Sequence, residues 1–443
     1  MKNAREAALQ ILIAVDFKGA YSNLALKDGL GGLSSVDKCF ATRIVYGCIS
    51  MRLTIDYIIS RYSKTKIKKL SACVLEILRM GIYQIYFMDR IPDSAAVNES
   101  VKLAARHAAV SRGFVNGVLR SAARGKENLT YPEDKTEYLS VKYSFPIELC
   151  VKFEDMFGFE RAKSLLCAFS KEPETIIRAN TLKTTREELK ALIETGGAEV
   201  RIIEELPDAL AVSGLDVGSS IEYKSGLFTV QDTAAQLACL VLAPKSGDTV
   251  FDMCAAPGGK TTYLAELMKD KGFITAFDIY PHKTELIDEN ASRLGISIIE
   301  SCTFNSAAYQ KELAGRADKV LADVPCSGSG ILRRKPEIKW NMTDVNELCE
   351  IQRKILENAV SYAAPGGEIV YSTCSVMPEE NEKAVEAFLS EHPEAEAVDI
   401  SPLLPEKFRK PIASEGYITL YPDTDGTDGF FICKLRKKQI PDN

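Results

Sequence analysis

The stretch "DTVFDMCAAPGGKTT" (248–262) starts as a short run that is apolar at Val250, Phe251 and Met253 around a single acid, Asp252, and then breaks into small residues and two adjacent glycines. A run of that length with no polar alternation fits a strand buried on both faces of a sheet. Gly258 and Gly259 allow the tight turn that follows and leave backbone N–H groups pointing outward at the start of the next helix. The closing Gly259-Lys260-Thr261 matches the end of the phosphate-cradling pattern G-x-x-x-x-G-K-[ST]. That pattern needs its first glycine where the chain has Cys254, so the phosphate-loop reading fails at its first position. What remains is the strand, glycine loop and helix that begin a doubly wound sheet.

The same rhythm continues downstream. Apolar runs at 273–279, 297–301, 319–325 and 367–374 alternate with helical stretches, which predicts an α/β Rossmann-like domain with a mostly parallel, doubly wound sheet over 221–438. In such sheets ligands bind beyond the carboxyl ends of the strands. The second strand ends on Asp278, 26 residues after Asp252, near the roughly 20-residue offset of an acid that bonds a ribose hydroxyl. Glycine loop and acid together predict an adenosine-containing cofactor and leave nicotinamide and S-adenosylmethionine both open. The fourth strand ends in Asp323-Val324-Pro325-Cys326 and the fifth in Ser372-Thr373-Cys374, so a carboxylate and two thiols reach one sheet edge. A dehydrogenase has no use for that set, whereas an enzyme that must add a thiol to a ring has.

Upstream the pattern differs. Residues 1–130 are helical in style throughout, as in "KLSACVLEILRMGIYQIYFM" (69–88), with no strand signal. The polar "YPEDKTE" (131–137) reads as a linker. Helices over 147–169 then lead to a strand (175–181), a helix (185–197) and strands at 199–205 and 209–214, a small α+β unit of ferredoxin or RNA-recognition-motif type within 131–220. Charge divides along the same line: residues 1–130 carry a net +10 and the remainder −16. A basic front on an acidic body suits a polyanion-docking module. Its densest patch, "RYSKTKIKK" (61–69), is equally well read as a solvated loop between helices.

Composition excludes several classes. A chain of 443 residues exceeds one ordinary core. An apolar share of 46% with 26% charged residues is that of a globular protein. No apolar run reaches the roughly 18–20 residues of a membrane helix and the N-terminus lacks a signal-peptide layout, so no membrane association and a cytoplasmic location are expected. Twelve cysteines without one C-x-x-C pair, beside three histidines, suit neither a disulfide scaffold nor a zinc site. Most of the cysteines are expected to be buried small hydrophobes, and packing is the plain alternative for Cys374 itself.

Several segments resemble one family, the RNA cytosine-5 methyltransferases of the Sun/Fmu (NOL1/NOP2/Sun) type. They are "DMCAAPGGKT", "DVPCSGSG" (323–330), "YSTCS" (371–375), "RANTLK" (178–183), "FTVQDTAAQL" (228–237), "ILRRKPEIKW" (331–340) and "DGFFICKL" (428–435), which cover roughly 175–435 in order. In front, "AVNESVKLA" (96–104) and "GFVNGVLR" (113–120) resemble a NusB-type RNA-binding domain. The resemblance implies S-adenosyl-L-methionine as cofactor, held by Cys254, Ala255, Ala256, Pro257, Gly258, Gly259, Lys260, Asp278, Asn305 and Asp323. It implies Cys374 as the nucleophile, Cys326 as the residue assisting product release, and Asp323 at the N3/N4 edge of the cytosine. The NusB-like front implies 16S ribosomal RNA, free or in an early small-subunit assembly intermediate, as the substrate. A monomer without metal is expected.

The chemistry agrees with that assignment. Carbon 5 of cytosine is a poor nucleophile, and thiolate addition at carbon 6 turns the ring into an enamine that attacks through carbon 5. DNA cytosine methyltransferases use instead the cysteine after the proline, here Cys326. The family usually presents an acid to the adenine amino group after the third strand; this chain has Asn305 in "TFNSAA" (303–308), whose side-chain oxygen can accept the same bond without the charge. Arg333, Arg334 and Lys335 read as RNA phosphate contacts, and by themselves Lys260 and Lys283 each read as a cofactor contact, an RNA contact or a solvated residue. A base that must reach thiols at a sheet edge has to leave its stack, which favours a looped or single-stranded cytosine. Two competitors remain: a methyltransferase for transfer RNA, protein or DNA, and a non-catalytic RNA-binding factor, which leaves the strand-end cysteines unexplained.

Overall fold

The computed structural model describes residues 3–20 and 22–439. It divides into two compact units, Met1–Glu172 with Leu332–Asn341, and Pro173–Ile331 with Met342–Asn443.

The first unit is helical, with no strand among its described residues. Asn3 caps Ala4–Lys18 by accepting from the Glu6 amide, and Gly19 ends that helix at φ 71°. Helix Ala72–Phe87 is buried without a break from Val74 to Ile85, which makes it the axis round which the others pack. Two ionisable residues on it, Glu76 and Arg79, share that burial. Arg79 grips Asp56 through two bonds of 2.8 and 2.7 Å and also reaches Asp16 and Glu76. Burial, only partly offset by Arg79, pushes the Glu76 carboxyl up to about 7. The segment Pro336–Trp340 forms a short 3₁₀ turn on this unit, where Lys339 Nζ donates to Ser50 O at 2.6 Å and the Trp340 indole to Ile49 O at 2.9 Å.

The second unit contains two sheets. Strands β1 (Thr175–Ala179), β2 (Glu199–Ile202), β3 (Ala209–Ser213) and β4 (Phe228–Val230) form an antiparallel sheet in the order β2-β3-β1-β4. With helix Arg186–Thr195 between β1 and β2, and the single turn Ile221–Lys224 between β3 and β4, this is ferredoxin-like connectivity. The first of these helices has a capping box made by Thr185 and Glu188.

The larger sheet is the doubly wound one. Strands β5 (Thr249–Asp252), β6 (Phe273–Asp278), β7 (Ile299–Thr303), β8 (Ala317–Asp323) and β9 (Ala363–Thr373) run parallel in the order β7-β6-β5-β8-β9. Beyond β9 the sheet turns antiparallel through β12 (Phe430–Lys437), flanked by β10 (Ala395–Ala397) and β11 (Tyr417–Leu420). Chain order reverses between β5 and β8, the switch point at which such sheets open a crevice. Helix Thr233–Leu242 and the second half of Gly259–Leu267 pack on one face, and helix Val345–Tyr362 on the other.

The cysteines depart from the sequence expectation. Only Cys48, Cys150, Cys239 and Cys433 are buried; six are half-buried, and Cys39 and Cys302 are exposed. Among the described residues no helix is long and apolar enough to cross a membrane, and no cluster of metal-ligating side chains occurs.

Candidate active site

At the carboxyl end of β5 the chain turns through Cys254–Gly258 into helix Gly259–Leu267. Gly258 caps that helix at φ 99°, a conformation that favours glycine, and a Cβ there would meet the Ile287 backbone at 3.3 Å. Ala255 N donates to Phe277 O, and Asn290 reaches over to Pro257 O, so both neighbouring segments pin the loop. The first amides of the helix have no partner within it, as at any helix N-terminus. Asp252 is buried, accepts from Thr261 Oγ1 at 2.7 Å, and keeps its other oxygen unpartnered. Its burial pushes the carboxyl up to about 7.

The remaining cofactor candidates stand at the neighbouring strand ends. Asp278 is buried at the end of β6, accepts from Tyr280 N at 3.2 Å and lies 3.8 Å from Lys283 Nζ. Asn305 is exposed after β7, with its side-chain oxygen accepting from Ala307 N at 3.1 Å, which leaves one lone pair for a ligand. A glycine cradle, free first-turn amides and a strand-end acid one strand away fit a nucleoside cofactor.

The two cysteines meet. Cys326 Sγ lies 3.0 Å from Cys374 Sγ, both as free thiols. The hydrogen bond with Cys374 and then burial push the Cys326 thiol well above its ordinary value, so Cys326 stays protonated. At the ends of the same two strands, register pairs Asp323 with Ser372, and Ser372 Oγ donates to Asp323 Oδ1 at 2.8 Å. Lys260, from the cofactor loop, donates to Asp323 Oδ2 at 2.6 Å. Burial opposes the Lys260 charge, but Asp323 more than offsets it, and the Cys374 sulfur is among the groups within electrostatic reach. Gly330 closes the site from behind: its N–H donates to Cys374 O, and a Cβ there would meet Gly429 O at 1.9 Å.

Cys326, Cys374, Asp323 and Lys260 thus converge, and the glycine loop and Asp278 flank them. Arg333 and Arg334 are half-buried and Lys335 exposed, on the segment that belongs to the helical unit. Three groups escaped the sequence reading. Ser372 could have been found from its position before Cys374. Arg178, in "RANTLK", is fully buried and donates to Glu266, Thr262 and the Gly259 carbonyl, bracing the cofactor helix from the small sheet. Glu380 is buried between the two cysteine loops, yet "MPEENEKA" looks like a solvated helix start and gave no signal.

Residues 239–436 match the family described as 16S rRNA methyltransferase RsmB/F, and residues 2–124 the NusB family. A probable ribosomal RNA small subunit methyltransferase B of Bacillus subtilis (strain 168) is 36% identical over 98% of this chain and 99% of its own length. This chain belongs to the ribosomal RNA small subunit methyltransferase B family. The family member of Escherichia coli O127:H6 is 30% identical, covering 99% of each chain. The crystal structure of PH0851 superposes with a TM-score of 0.82 at 30% identity, over 98% of each chain. NSun6 from Pyrococcus horikoshii, solved with SFG, shares the fold at a TM-score of 0.60 and 23% identity, over 67% of this chain and all of its own. As a member of the family, the chain is a methyltransferase with a NusB-like domain in front.

Proposed function

We propose that this chain methylates carbon 5 of a cytosine in 16S ribosomal RNA, free or in an early small-subunit assembly intermediate, with S-adenosylmethionine as methyl donor. The observation that carries the reading is the meeting of two free thiols, 3.0 Å apart, beside the Asp323 and Lys260 pair at one sheet edge. The Cys254–Lys260 loop, Asp278, Asn305 and Asp323 would hold the cofactor, which supplies an activated methyl group when bound. Cys374, its proton given up to solvent, adds its thiolate sulfur to carbon 6 of the flipped-out base, and the C5–C6 π electrons move into the ring as an enamine. Negative charge collects at N3, where Asp323, sharing the protons of Lys260, meets the base edge. After carbon 5 carries the methyl group, solvent water takes its remaining proton, the electron pair restores the C5–C6 double bond and the Cys374 sulfur leaves as thiolate. Cys326, held as a thiol in contact with that sulfur, serves this release.

The test is a denaturing gel of wild type, Cys374→Ala, Cys326→Ala and the double variant with small-subunit ribosomal RNA and S-adenosylmethionine. A protein–RNA adduct that accumulates only in Cys326→Ala and vanishes in the double variant is the expected outcome. Accumulation in Cys374→Ala would exchange the two roles. Transfer RNA in a parallel lane asks whether the substrate class is right.

A further inference from the structure

The thiol contact does not follow from the sheet alone, because both cysteines lie just past the ends of their strands, where the backbone is free to diverge. Beside the backbone bond from Gly330 N to Cys374 O and the contacts among Ser327, Ser329 and Ser375, one carboxylate bonds the residue after each cysteine. Glu380 is fully buried, and its carboxylate accepts four hydrogen bonds, all from uncharged donors. Oε1 takes the Ser327 amide at 2.8 Å and Gln352 Nε2 at 3.0 Å, and Oε2 takes the Ser327 and Ser375 hydroxyls, each at 2.5 Å. Ser327 follows Cys326, and Ser375 follows Cys374. Gln352 also holds Pro325 O at 3.0 Å, fixing the residue before Cys326. Ser329 completes the frame, bonding Ser375 Oγ at 2.9 Å and receiving the Val376 amide at 3.0 Å.

We infer that Glu380 is a positioning residue that sets the separation of the two thiols by tying the residues after Cys326 and Cys374 to one carboxylate. Four donors around a buried anion make short, directional bonds that neither loop can leave singly without stranding charge in a dry site. A glutamine of the same shape keeps one accepting oxygen but presents N–H donors where the carboxylate accepts the two serine hydroxyls, so both hydroxyls must turn round and the short charge-assisted bonds to them are lost. The inference rests on the proposed function for its bearing on catalysis, but the geometry it asserts concerns only the two sulfurs.

A trivalent arsenical, phenylarsine oxide, reads that geometry without RNA or methyl transfer. Its oxygen takes both thiol protons and leaves as water while two As–S bonds form, which requires the sulfurs to be held close. Bridging is followed by intact mass, with Cys374→Ala as the blank. Wild type is expected to take up one bridging arsenical. Glu380→Gln is expected to do so at least tenfold more slowly while melting in the same cooperative transition, and with RNA to show a lowered kcat at an unchanged KM for S-adenosylmethionine. Bridging of Glu380→Gln at the wild-type rate, or no bridging in wild type, overturns the inference. Should Glu380→Gln fail to fold, Ser375→Ala and Ser327→Ala, each removing one hydroxyl bond, take its place: slowed bridging supports the inference and wild-type rates overturn it. Slow bridging in Glu380→Gln combined with no methyl transfer by wild type to any RNA sinks the proposed function and leaves this inference standing.

Discussion

Lys260 stands in the first turn of its helix, directly after the glycine loop, and pairs with Asp323 at 2.6 Å. Lys260→Met removes the cation that faces the developing charge, and a loss of roughly 10²–10³ in kcat is expected, as for removal of one preorganised electrostatic donor. Single-turnover methylation measures it, and a change confined to cofactor binding would place Lys260 outside the chemistry. Arg178 works at a distance. Both Arg178 and Glu266 are fully buried, so Arg178→Met strands a carboxylate and should cost roughly 3–5 kcal/mol of stability, read from denaturant unfolding of the full chain. Cys326, Cys374 and Asp323 could be found in the sequence because strand ends are countable. Arg178, Ser372 and Glu380 were not assigned roles, because each bonds a partner far away in the chain: Glu266 is 88 residues from Arg178, Asp323 49 from Ser372 and Ser327 53 from Glu380.

At the level of elements, the parallel strands and the helices follow from apolar periodicity and turn residues, and β5 through β9 appear where that pattern places them. The antiparallel flank, β10 to β12, was not singled out as strands, since short runs interrupted by loops carry little periodic signal. Within that flank an acid locks three strands together: Glu368 on β9 meets Lys319 on β8 at 2.5 Å, and Lys434 and Arg436 on β12 at 2.8 and 3.2 Å. Burial alone would raise its pKa, but the bonds from Lys319 and Lys434 outweigh it and hold the carboxyl down near 2. The folded state then keeps Glu368 ionised while the unfolded chain takes up a proton near pH 4.5. Its stabilisation is present above pH 4.5 and is lost as the pH falls through about 2. Glu368→Gln should therefore melt several degrees below wild type at about pH 7, with the gap closing towards about pH 2. A gap that widens on acidification would refute the assignment.

Across the whole molecule, the net +10 of residues 1–130 stands beside −16 in the remainder. Lys64, Lys66, Lys68 and Lys69 are exposed on one loop of the helical unit. Replacing all four by Gln should weaken RNA binding about equally for every sequence. It should also flatten the dependence of log K on log salt by about 0.7 for each phosphate of single-stranded RNA that is no longer neutralised. An unchanged slope would return the patch to a solvated loop. The sequence by itself determined the strand order of chemistry: which residues end each strand, where the glycines permit a cofactor loop, and where the charge lies. These are local properties, fixed by side-chain period and backbone freedom. Only the tertiary structure decided that the two thiols touch, that Lys260 faces Asp323 and that Glu380 ties two loops, because each joins segments that no local rule relates and burial makes each bond count.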